Sequence, residues 1–377
     1  MIGYGRQCID DQDVAAVTAA LRSDFLTSGP AVDAFEAEIR RITGAAHAVV
    51  VSNGTSALKL LYQAAGIRAG QKVGVPAVTF VATASQAMLL GAEIVLLDVD
   101  PATGCLTPEI LDACPERLDW VVPVHFAGRL CDLAGIAAVC RRKGIRLLDD
   151  AAHAFGSTTD TGERAGDCRH SEGTILSFHP VKNITSGEGG AVVTNDGALA
   201  ARVRTLRHHG IQRDGFAGDL AGTEGAWYHE FHQPATNERL SDINCALGAS
   251  QCAKLERFKA ERAAQIARYQ AELPAWVKAP TPAPGQRPFW HLASVQCDFA
   301  AVGLTRTTTI AKARTAGIAF MVHYMPLHHH PVLSPARRGS TLAQADAFFR
   351  GVLSIPCYAG LTAGEQDQVI AWFKAQG

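Results

Sequence analysis

The sequence predicts an α/β protein built on a doubly wound, mostly parallel sheet, followed by a smaller α+β domain. Between residues 47 and 194, short apolar runs alternate with segments of helical spacing, which is typical of parallel sheets. The chain has 377 residues, of which 47% are hydrophobic, and this length suffices for about two domains. The alternation stops after that region. We therefore expect a large domain over residues 1–250 and a small domain over residues 251–377.

Two helices are predicted ahead of the first strand. Asp10 and Asp11 form a capping signal before apolar residues at helical spacing, and the second helix ends at Gly44. Pro123 indicates that its strand lies at an edge or ends irregularly, because proline cannot donate to a strand ladder. The predicted strands are the apolar runs 48–51, 73–75, 94–97, 121–124, 145–148, 173–176 and 191–194.

The chain beyond the sheet has a different pattern. A helix near 199–206 is expected to end at Gly210, and residues 211–236 have no clear period, which predicts a long functional loop. A long helical region over 242–273 follows and is predicted to connect the two domains. Prolines between 280 and 288 mark the boundary beyond it.

Composition excludes several classes of function. The net charge is −1, which argues against binding of nucleic acid or membranes through bulk charge. No apolar run approaches the roughly 20 residues that span a bilayer, and the N-terminus lacks a signal pattern, so we expect a cytoplasmic location. The 10 cysteines include no C-x-x-C pair, and we expect reduced thiols packed as small apolar side chains.

The most informative stretch is the polar loop Ser177–Gly190, which lies between two predicted strands and carries one lysine, Lys182. Most lysines are exposed, so a solvated loop lysine is one interpretation. A lysine held between strands would be desolvated, which lowers the pKa of its amine and frees it to form a Schiff base.

A second candidate site is the junction Ser52–Ser56, where a predicted strand ends and a helix begins. Ligands of open α/β sheets bind at such junctions. Gly54 lets the backbone approach an anion, and the helix N-terminus attracts negative charge. The same residues also fit an ordinary helix cap.

A third candidate is the pair Asp149 and Asp150, which follows a predicted buried strand. A buried carboxylate costs free energy unless it is paired. A protonated pyridine nitrogen would be a suitable partner, as in pyridoxal phosphate sites. Capping of the next helix is the alternative.

Taken together, these three stretches favour pyridoxal phosphate chemistry, because they supply a phosphate anchor, a partner for the ring nitrogen and an amine. The sequence has no G-x-G-x-x-G motif and no G-x-x-x-x-G-K-[ST] motif. The run His328–His330 could suggest a metal, but three consecutive histidines cannot easily face one ion, so we expect no metal site.

With these motifs in place, the chain resembles the DegT-type sugar-nucleotide aminotransferases essentially from end to end. The Ser-Phe-His-x-x-Lys-x-Ile-Thr-x-Gly-Glu-Gly-Gly segment at 177–190 is highly specific. The resemblance implies the fold type I pyridoxal phosphate architecture, with a mostly parallel seven-stranded sheet. Other matching segments are Tyr4–Gln7, Ser52–Leu58, Pro76–Phe80, Asp149–Gly156, Asn237–Asp242 and Val322–Leu327.

The resemblance also implies roles for single residues of the cofactor site. Lys182 would hold pyridoxal phosphate through a Schiff base, Asp150 would pair with the pyridine nitrogen, and His153 would lie beside the ring. Phe80 would stack on the ring face. The phosphate would be bound by Gly54, Thr55 and Ser177.

Further residues would contact the phosphate from outside or bind the substrate. Asn237 matches the residue that reaches the phosphate from the neighbouring subunit, which implies a homodimer with shared active sites. Arg6 and Arg213 are candidates for the pyrophosphate of a nucleotide sugar. The candidates for substrate contact are Tyr4, Thr27, His323 and Tyr324.

The implied reaction is transfer of the amino group of L-glutamate to carbon 4 of a UDP-linked 4-keto-6-deoxy sugar, because the closest likeness is to enzymes of pseudaminic acid biosynthesis. Related sugar dehydratases carry histidine at the lysine position, so Lys182 favours amino transfer. Thr236, Glu238 and the triple histidine depart from the family pattern. The alternatives are another UDP-, GDP- or dTDP-linked keto sugar, a dehydratase, a non-catalytic cofactor-binding regulator and a plain nucleotide-binding module.

Overall fold

The computed structural model describes residues 1–218, 220 and 225–377. The α-helices of this part of the chain are α1 Asp11–Leu21, α2 Pro30–Thr43, α3 Gly54–Ala65, α4 Ala82–Leu89, α5 Pro108–Asp112, α6 Leu133–Lys143, α7 Gly197–Arg207, α8 Asp242–Cys252, α9 Leu255–Glu272, α10 Arg306–Thr315, α11 Ala343–Gly351 and α12 Ala363–Lys374. Short 3₁₀ helices span Phe126–Gly128, Ala300–Val302 and Leu327–His329.

The β-strands are short, and several have two residues. They are β1 His47–Val51, β2 Lys72–Pro76, β3 Glu93–Leu97, β4 Trp120–Val121, β5 Arg146–Leu147, β6 Asp149–Asp150, β7 Thr158–Thr159, β8 Thr174–Ser177, β9 Gly190–Thr194, β10 Ile211–Gln212, β11 Glu230–Phe231, β12 Val277–Lys278, β13 Gln286–Arg287, β14 Ala293–Cys297, β15 Arg337–Arg338 and β16 Val352–Ile355.

One large sheet organises the described residues. Its order is β1-β9-β8-β6 on one side and β5-β4-β2-β3 on the other, with β15 at the far edge. β5 and β6 are halves of one strand interrupted at Leu148, whose N–H donates to Val121 at 3.2 Å. When β5 and β6 are counted as one strand, this sheet has seven strands in addition to the edge strand β15. Among them, only β9 runs antiparallel to its neighbours. The expected mostly parallel seven-stranded sheet is confirmed.

Both faces of this sheet are buried, which explains the continuous apolar runs of its strands. In β1, Val49 and Val51 pack into the core cluster that contains α3, whereas Ala48 and Val50 pack into the cluster that contains Phe35 of α2. α2 begins with Pro30 at its first position and ends at Gly44, whose φ of 82° is the left-handed cap that glycine favours.

Two expectations about the elements need correction or refinement. Pro123 lies in the sheet interior, where β4 lies between β2 and β5, and it marks an irregular strand end rather than an edge. The long helical region is two helices, α8 and α9, separated at Ala253 and Lys254. Lys254 lies at this break, and its buried ammonium pairs with Asp13 of α1 at 2.6 Å.

The predicted loop over 211–236 is partly ordered as a hairpin. β10 and β11 pair in an antiparallel register, with Ile211 opposite Phe231. Residues 219 and 221–224 of this stretch lie outside the described residues.

The C-terminal part is an α+β unit with its own core. The antiparallel strands β12, β14 and β16 form its sheet, and its core includes Tyr269, Trp276 and Phe373. Ile2, at the other end of the chain, also packs into this core and bridges Ile318. None of the described helices has the length and apolar character to cross a membrane. All ten cysteines are free thiols, and all but Cys8 are buried.

Candidate active site

A cavity of about 760 Å³ lies where the parallel strands of the large sheet end. Its walls come from the N-terminus of α3, the segment before α4, the residues after β6 and the loop after β8, so it occupies the ligand position expected of an open α/β sheet. Ten residues predicted from the sequence line it, namely Tyr4, Gly54, Thr55, Phe80, Asp150, His153, Ser177, Lys182, His323 and Tyr324.

Lys182 projects into this cavity from the loop after β8. Burial lowers the pKa of its amine to about 8, although the nearby Asp150 carboxylate opposes the shift. Its backbone is fixed, because its N–H donates to His179 at 2.9 Å and its carbonyl accepts from the buried Arg262 at 3.0 Å. A substantial neutral fraction near pH 8 makes this amine a competent nucleophile.

Asp150 faces the same cavity, whereas Asp149 does not. Successive side chains of a strand point to opposite faces, so the two carboxylates are separated by the sheet. Asp150 accepts hydrogen bonds from the Thr83 hydroxyl at 2.9 Å and the Ala152 N–H at 3.0 Å. Burial raises the pKa of Asp150, and these bonds and the charge of Lys182 only partly offset the rise. A cation bound in the cavity would stabilise the Asp150 carboxylate and lower its pKa.

His153 is held in one orientation at the side of the cavity. The Ala127 N–H donates to its Nδ1 at 3.4 Å, and Nε2 lies 3.1 Å from the Tyr324 hydroxyl. Burial holds the pKa of His153 well below its usual range. The ring is therefore neutral, and this network assigns its proton to Nε2, which donates to Tyr324. His323, next to Tyr324, is fixed by a 2.8 Å hydrogen bond between Nδ1 and the Ser354 hydroxyl.

The N-terminus of α3 forms an anion cradle. The Asn53 side chain caps the helix by accepting from the Ser56 N–H at 2.8 Å. Within the described part of the chain, the N–H groups of Gly54 and Thr55 have no hydrogen-bond partner and lie at the cavity. A Cβ at Gly54 would lie 3.0 Å from that of Ser177, so glycine permits this close approach of helix and strand.

Four predicted residues lie outside this cavity. Thr27 and Asn237 are exposed, and they bridge Ser241 and His208, respectively. Arg213 is exposed, and Arg6 lines a separate small pocket behind the Lys182 loop.

Several residues at the cavity were not predicted, and three of them matter most for the site. Thr83, which bonds Asp150, begins a predicted helix after a strand, so the rule that ligands bind at such junctions could have found it. His291 is buried with its ring 4.4 Å from that of His153, and no local pattern indicates this contact. Glu238 was noted only as a departure from the family pattern, yet its carboxylate lines the cavity.

Glu238 ties the anion cradle to the chain after β11. Its carboxylate accepts from the Ser56 hydroxyl at 2.6 Å, from Ser52 at 3.0 Å and from the Lys59 ammonium at 3.0 Å. Burial raises the pKa of Glu238, but these bonds and one from Thr236 outweigh it and lower the pKa to about 2. The Ser52 and Ser56 hydroxyls are therefore engaged, which leaves Thr55 and Ser177 as hydroxyl donors for an anion.

The donor set fits pyridoxal phosphate. The unbonded N–H groups at the start of α3 suit a phosphate. Asp150, whose pKa is raised by burial, suits a protonated ring nitrogen, and the amine of Lys182 suits an aldehyde. When bound, this cofactor supplies a carbonyl for a Schiff base and a ring that accepts the electrons of a carbanion. The cavity volume lies within the range typical of cofactor and small-molecule sites.

Comparisons with known proteins agree with this interpretation. The model of the DegT/DnrJ/EryC1/StrS aminotransferase family matches residues 7–374. Helicobacter pylori PseC, an aminotransferase involved in the biosynthesis of pseudoaminic acid, is 25% identical with a TM-score of 0.90, over 100% of this chain and 98% of that chain. The aminotransferase TlmJ from Streptoalloteichus hindustanus is 26% identical with a TM-score of 0.90 and the same coverage. The sugar aminotransferase CalS13 from Micromonospora echinospora is 26% identical with a TM-score of 0.87, over 100% of both chains.

Proposed function

We propose, because this chain belongs to the DegT/DnrJ/EryC1/StrS aminotransferase family, that it transfers the amino group of L-glutamate to carbon 4 of a UDP-linked 4-keto-6-deoxy-N-acetylhexosamine. The chain is a pyridoxal phosphate-dependent sugar aminotransferase. The donor, the nucleotide and the position on the sugar are our proposal. The observation that supports it is the buried Lys182 beside Asp150, in a chain that matches PseC along its whole length.

In this proposal Lys182 has two tasks. Its amine would hold the cofactor, and once free it would act as a positioned general base and acid that accepts and returns a proton. The lowered pKa of Lys182, about 8, supports both tasks because the amine can accept and return a proton near neutral pH. Asp150 would keep the ring nitrogen protonated, because a bound cation would stabilise a carboxylate whose pKa burial raises.

The remaining cavity residues would position the cofactor. Gly54, Thr55 and Ser177 would bind the phosphate through the N–H groups of α3 and the two hydroxyls. Phe80 is half exposed, and its ring centroid lies 6.0 Å from that of Tyr324, so its face is available for stacking on the pyridine ring. The neutral His153 would lie beside that ring and keep Tyr324 in place.

The substrate would approach over Tyr4, His323 and Tyr324, which line the cavity. Thr27 and Asn237 lie outside this cavity, so a role for them requires a second copy of the chain. We therefore propose a homodimer in which Asn237 reaches the partner's phosphate and Thr27 its substrate. The proposed location remains cytoplasmic.

The UDP pyrophosphate needs positive charge that the cavity wall does not supply. Among the described residues that line it there is no arginine, and Lys59 is already paired with Glu238 at 3.0 Å. Arg213, which is exposed after β10, is the cation we propose for the pyrophosphate, with Arg6 as the other candidate.

The test is incubation of the purified enzyme with L-glutamate and a panel of UDP-, GDP- and dTDP-linked keto sugars, followed by mass spectrometry of the product. We expect turnover of a UDP-4-keto-6-deoxy-N-acetylhexosamine and formation of 2-oxoglutarate. Turnover of a dTDP-linked 3-keto sugar alone would refute the proposed substrate. Release of ammonia with a deoxygenated sugar would instead indicate the dehydratase reaction.

A further inference from the structure

A cluster of two imidazoles and one carboxylate lies outside the cavity, between the 3₁₀ helix Leu327–His329 and α11. The Nε2 atoms of His328 and His329 lie 3.0 Å and 2.7 Å from the same carboxylate oxygen, Oδ1 of Asp346. The three candidate ligand atoms all lie within 4.8 Å of one another. We propose that His328, His329 and Asp346 bind one divalent cation of the zinc type.

The local backbone explains how two consecutive histidines can converge. The tight turn of the 3₁₀ helix brings the two rings together, with centroids 4.2 Å apart and planes inclined by 41°. The third ligand comes from α11, so the site does not need three consecutive histidines to face one ion. His330 is absent from this cluster of described residues and ends the turn in an extended conformation.

The ligand chemistry selects the class of ion. Two imidazoles and one carboxylate suit Zn²⁺ and neighbouring transition ions, whereas Mg²⁺ and Ca²⁺ prefer oxygen ligands. Ligands at about 2.0–2.1 Å in a tetrahedron lie roughly 3.3 Å apart, so the cluster needs to open by a few tenths of an ångström. The His329 and Asp346 side chains are 43% and 37% exposed, which leaves room for a water in the fourth position.

The alternative state of the cluster is a pair of hydrogen bonds without metal, in which both rings donate to Asp346. A bound cation would replace these protons and join the segment after His323 and Tyr324 to α11 through coordinate bonds. The expected effect is thus structural support of a segment that lines the active-site cavity.

The experiment uses the holoenzyme after EDTA has removed any bound metal ions. The protein is titrated with ZnCl₂, followed by calorimetry, and with CoCl₂, followed by visible absorption. We expect one ion per chain in the wild type. The His329→Gln variant should lose at least about 100-fold in affinity, because removal of a direct ligand should exceed the roughly 10- to 100-fold cost of second-shell changes. Asp346→Asn should act in the same direction.

The matched control is His330→Gln, which changes the neighbouring histidine and should leave the affinity unchanged. Cofactor absorbance and the melting temperature verify that each variant is folded. If Asp346→Asn folds poorly, His329→Gln remains the safer test, because the His329 side chain is exposed. Three outcomes would overturn the proposal: no stoichiometric binding by the wild type, unchanged binding by His329→Gln, or an equal loss in His330→Gln.

Discussion

Two adjacent carboxylates, Asp149 and Asp150, lie on opposite faces of the large sheet and are almost equally buried, with 1% and 5% of their surface exposed. Asp149 lies in a closed polar cluster, where it accepts from the Thr174 hydroxyl at 2.8 Å and pairs with His125 at 3.1 Å. Asp150 borders the cavity and lies near Lys182. Burial alone therefore does not distinguish a structural carboxylate from a functional one.

The difference lies in what surrounds each carboxylate. The His125 Nδ1 accepts the Cys131 N–H at 2.9 Å, so its Nε2 carries the proton and donates to Asp149. Both oxygens of Asp149 thus have donors on a dry face of the sheet. Burial raises the pKa of Asp150 despite its two hydrogen bonds, which is the state expected of a group that awaits a cation from a ligand.

The strongest test of the cavity side is the variant Lys182→Arg. We expect transamination to fall by about 10⁴-fold or more, because the guanidinium stays protonated and can neither form a Schiff base nor accept a proton. Turnover of glutamate with the keto sugar measures the loss, and borohydride should fix cofactor to the wild type only. The control is Lys259→Arg, at a lysine outside the cavity. A Lys182→Arg enzyme that still transaminates would refute the assignment.

The variants Asp150→Asn and Asp149→Asn test whether the two carboxylates have different roles. An amide at residue 150 cannot keep the ring nitrogen protonated, so we expect kcat/KM to fall by about 10²- to 10⁴-fold, the range typical of a lost acid–base partner. At residue 149, activity per folded molecule should stay within about threefold, because a group remote from the cavity has no interaction specific to the transition state. Equal losses in both variants would contradict the division into two faces.

On the face of the sheet that holds Asp149, substitution should reduce stability rather than activity. In Asp149→Asn, one donor, either His125 or Thr174, faces an amide NH₂ instead of an oxygen. We expect a loss of about 1–3 kcal/mol in the free energy of unfolding, the cost of a buried unsatisfied polar group. Urea unfolding of the apoproteins measures it without the contribution of bound cofactor. A smaller loss than in Asp150→Asn would argue against the structural role.

The two faces also differ in how far the sequence predicts them. The seven strands could be predicted because a strand buried on both faces is a continuous apolar run, as in β1. That Asp150 rather than Asp149 faces the ligand came from the family resemblance, since alternation alone does not say which face holds the cavity. The His125–Asp149 contact joins residues 24 apart in the chain, and nothing in the local pattern indicates it.

Other features depend on tertiary contacts that no local pattern encodes. The break between α8 and α9 carries neither glycine nor proline, and it is stabilised by Lys254 through the distant Asp13. His291 reaches His153 from a segment 138 positions further along the chain. The domain boundary after residue 250 stays a prediction.

The charge of Asp150 should also be visible in the titration of Lys182. Only the neutral amine reacts with an aldehyde, so the rate at which apoenzyme takes up pyridoxal phosphate should rise with pH around the pKa of about 8. The Asp150 carboxylate stabilises the ammonium, so Asp150→Asn should move this midpoint to lower pH. Asp149→Asn should leave it in place. Borohydride-fixed cofactor at short times is the readout, and a shift in both variants would contradict the separation.

The smallest expected effects come from the two threonines that serve the two carboxylates. Thr174→Val removes a donor to Asp149 and should cost about 1–2 kcal/mol of stability with kcat unchanged. Thr83→Val removes a donor to Asp150 at 2.9 Å, and the carboxylate then relies on the cofactor's ring nitrogen for its position. A loss of about 1 kcal/mol there corresponds to roughly a fivefold lower kcat/KM. Thr174→Val should therefore change stability and Thr83→Val turnover, because each hydroxyl supports a carboxylate with a different task.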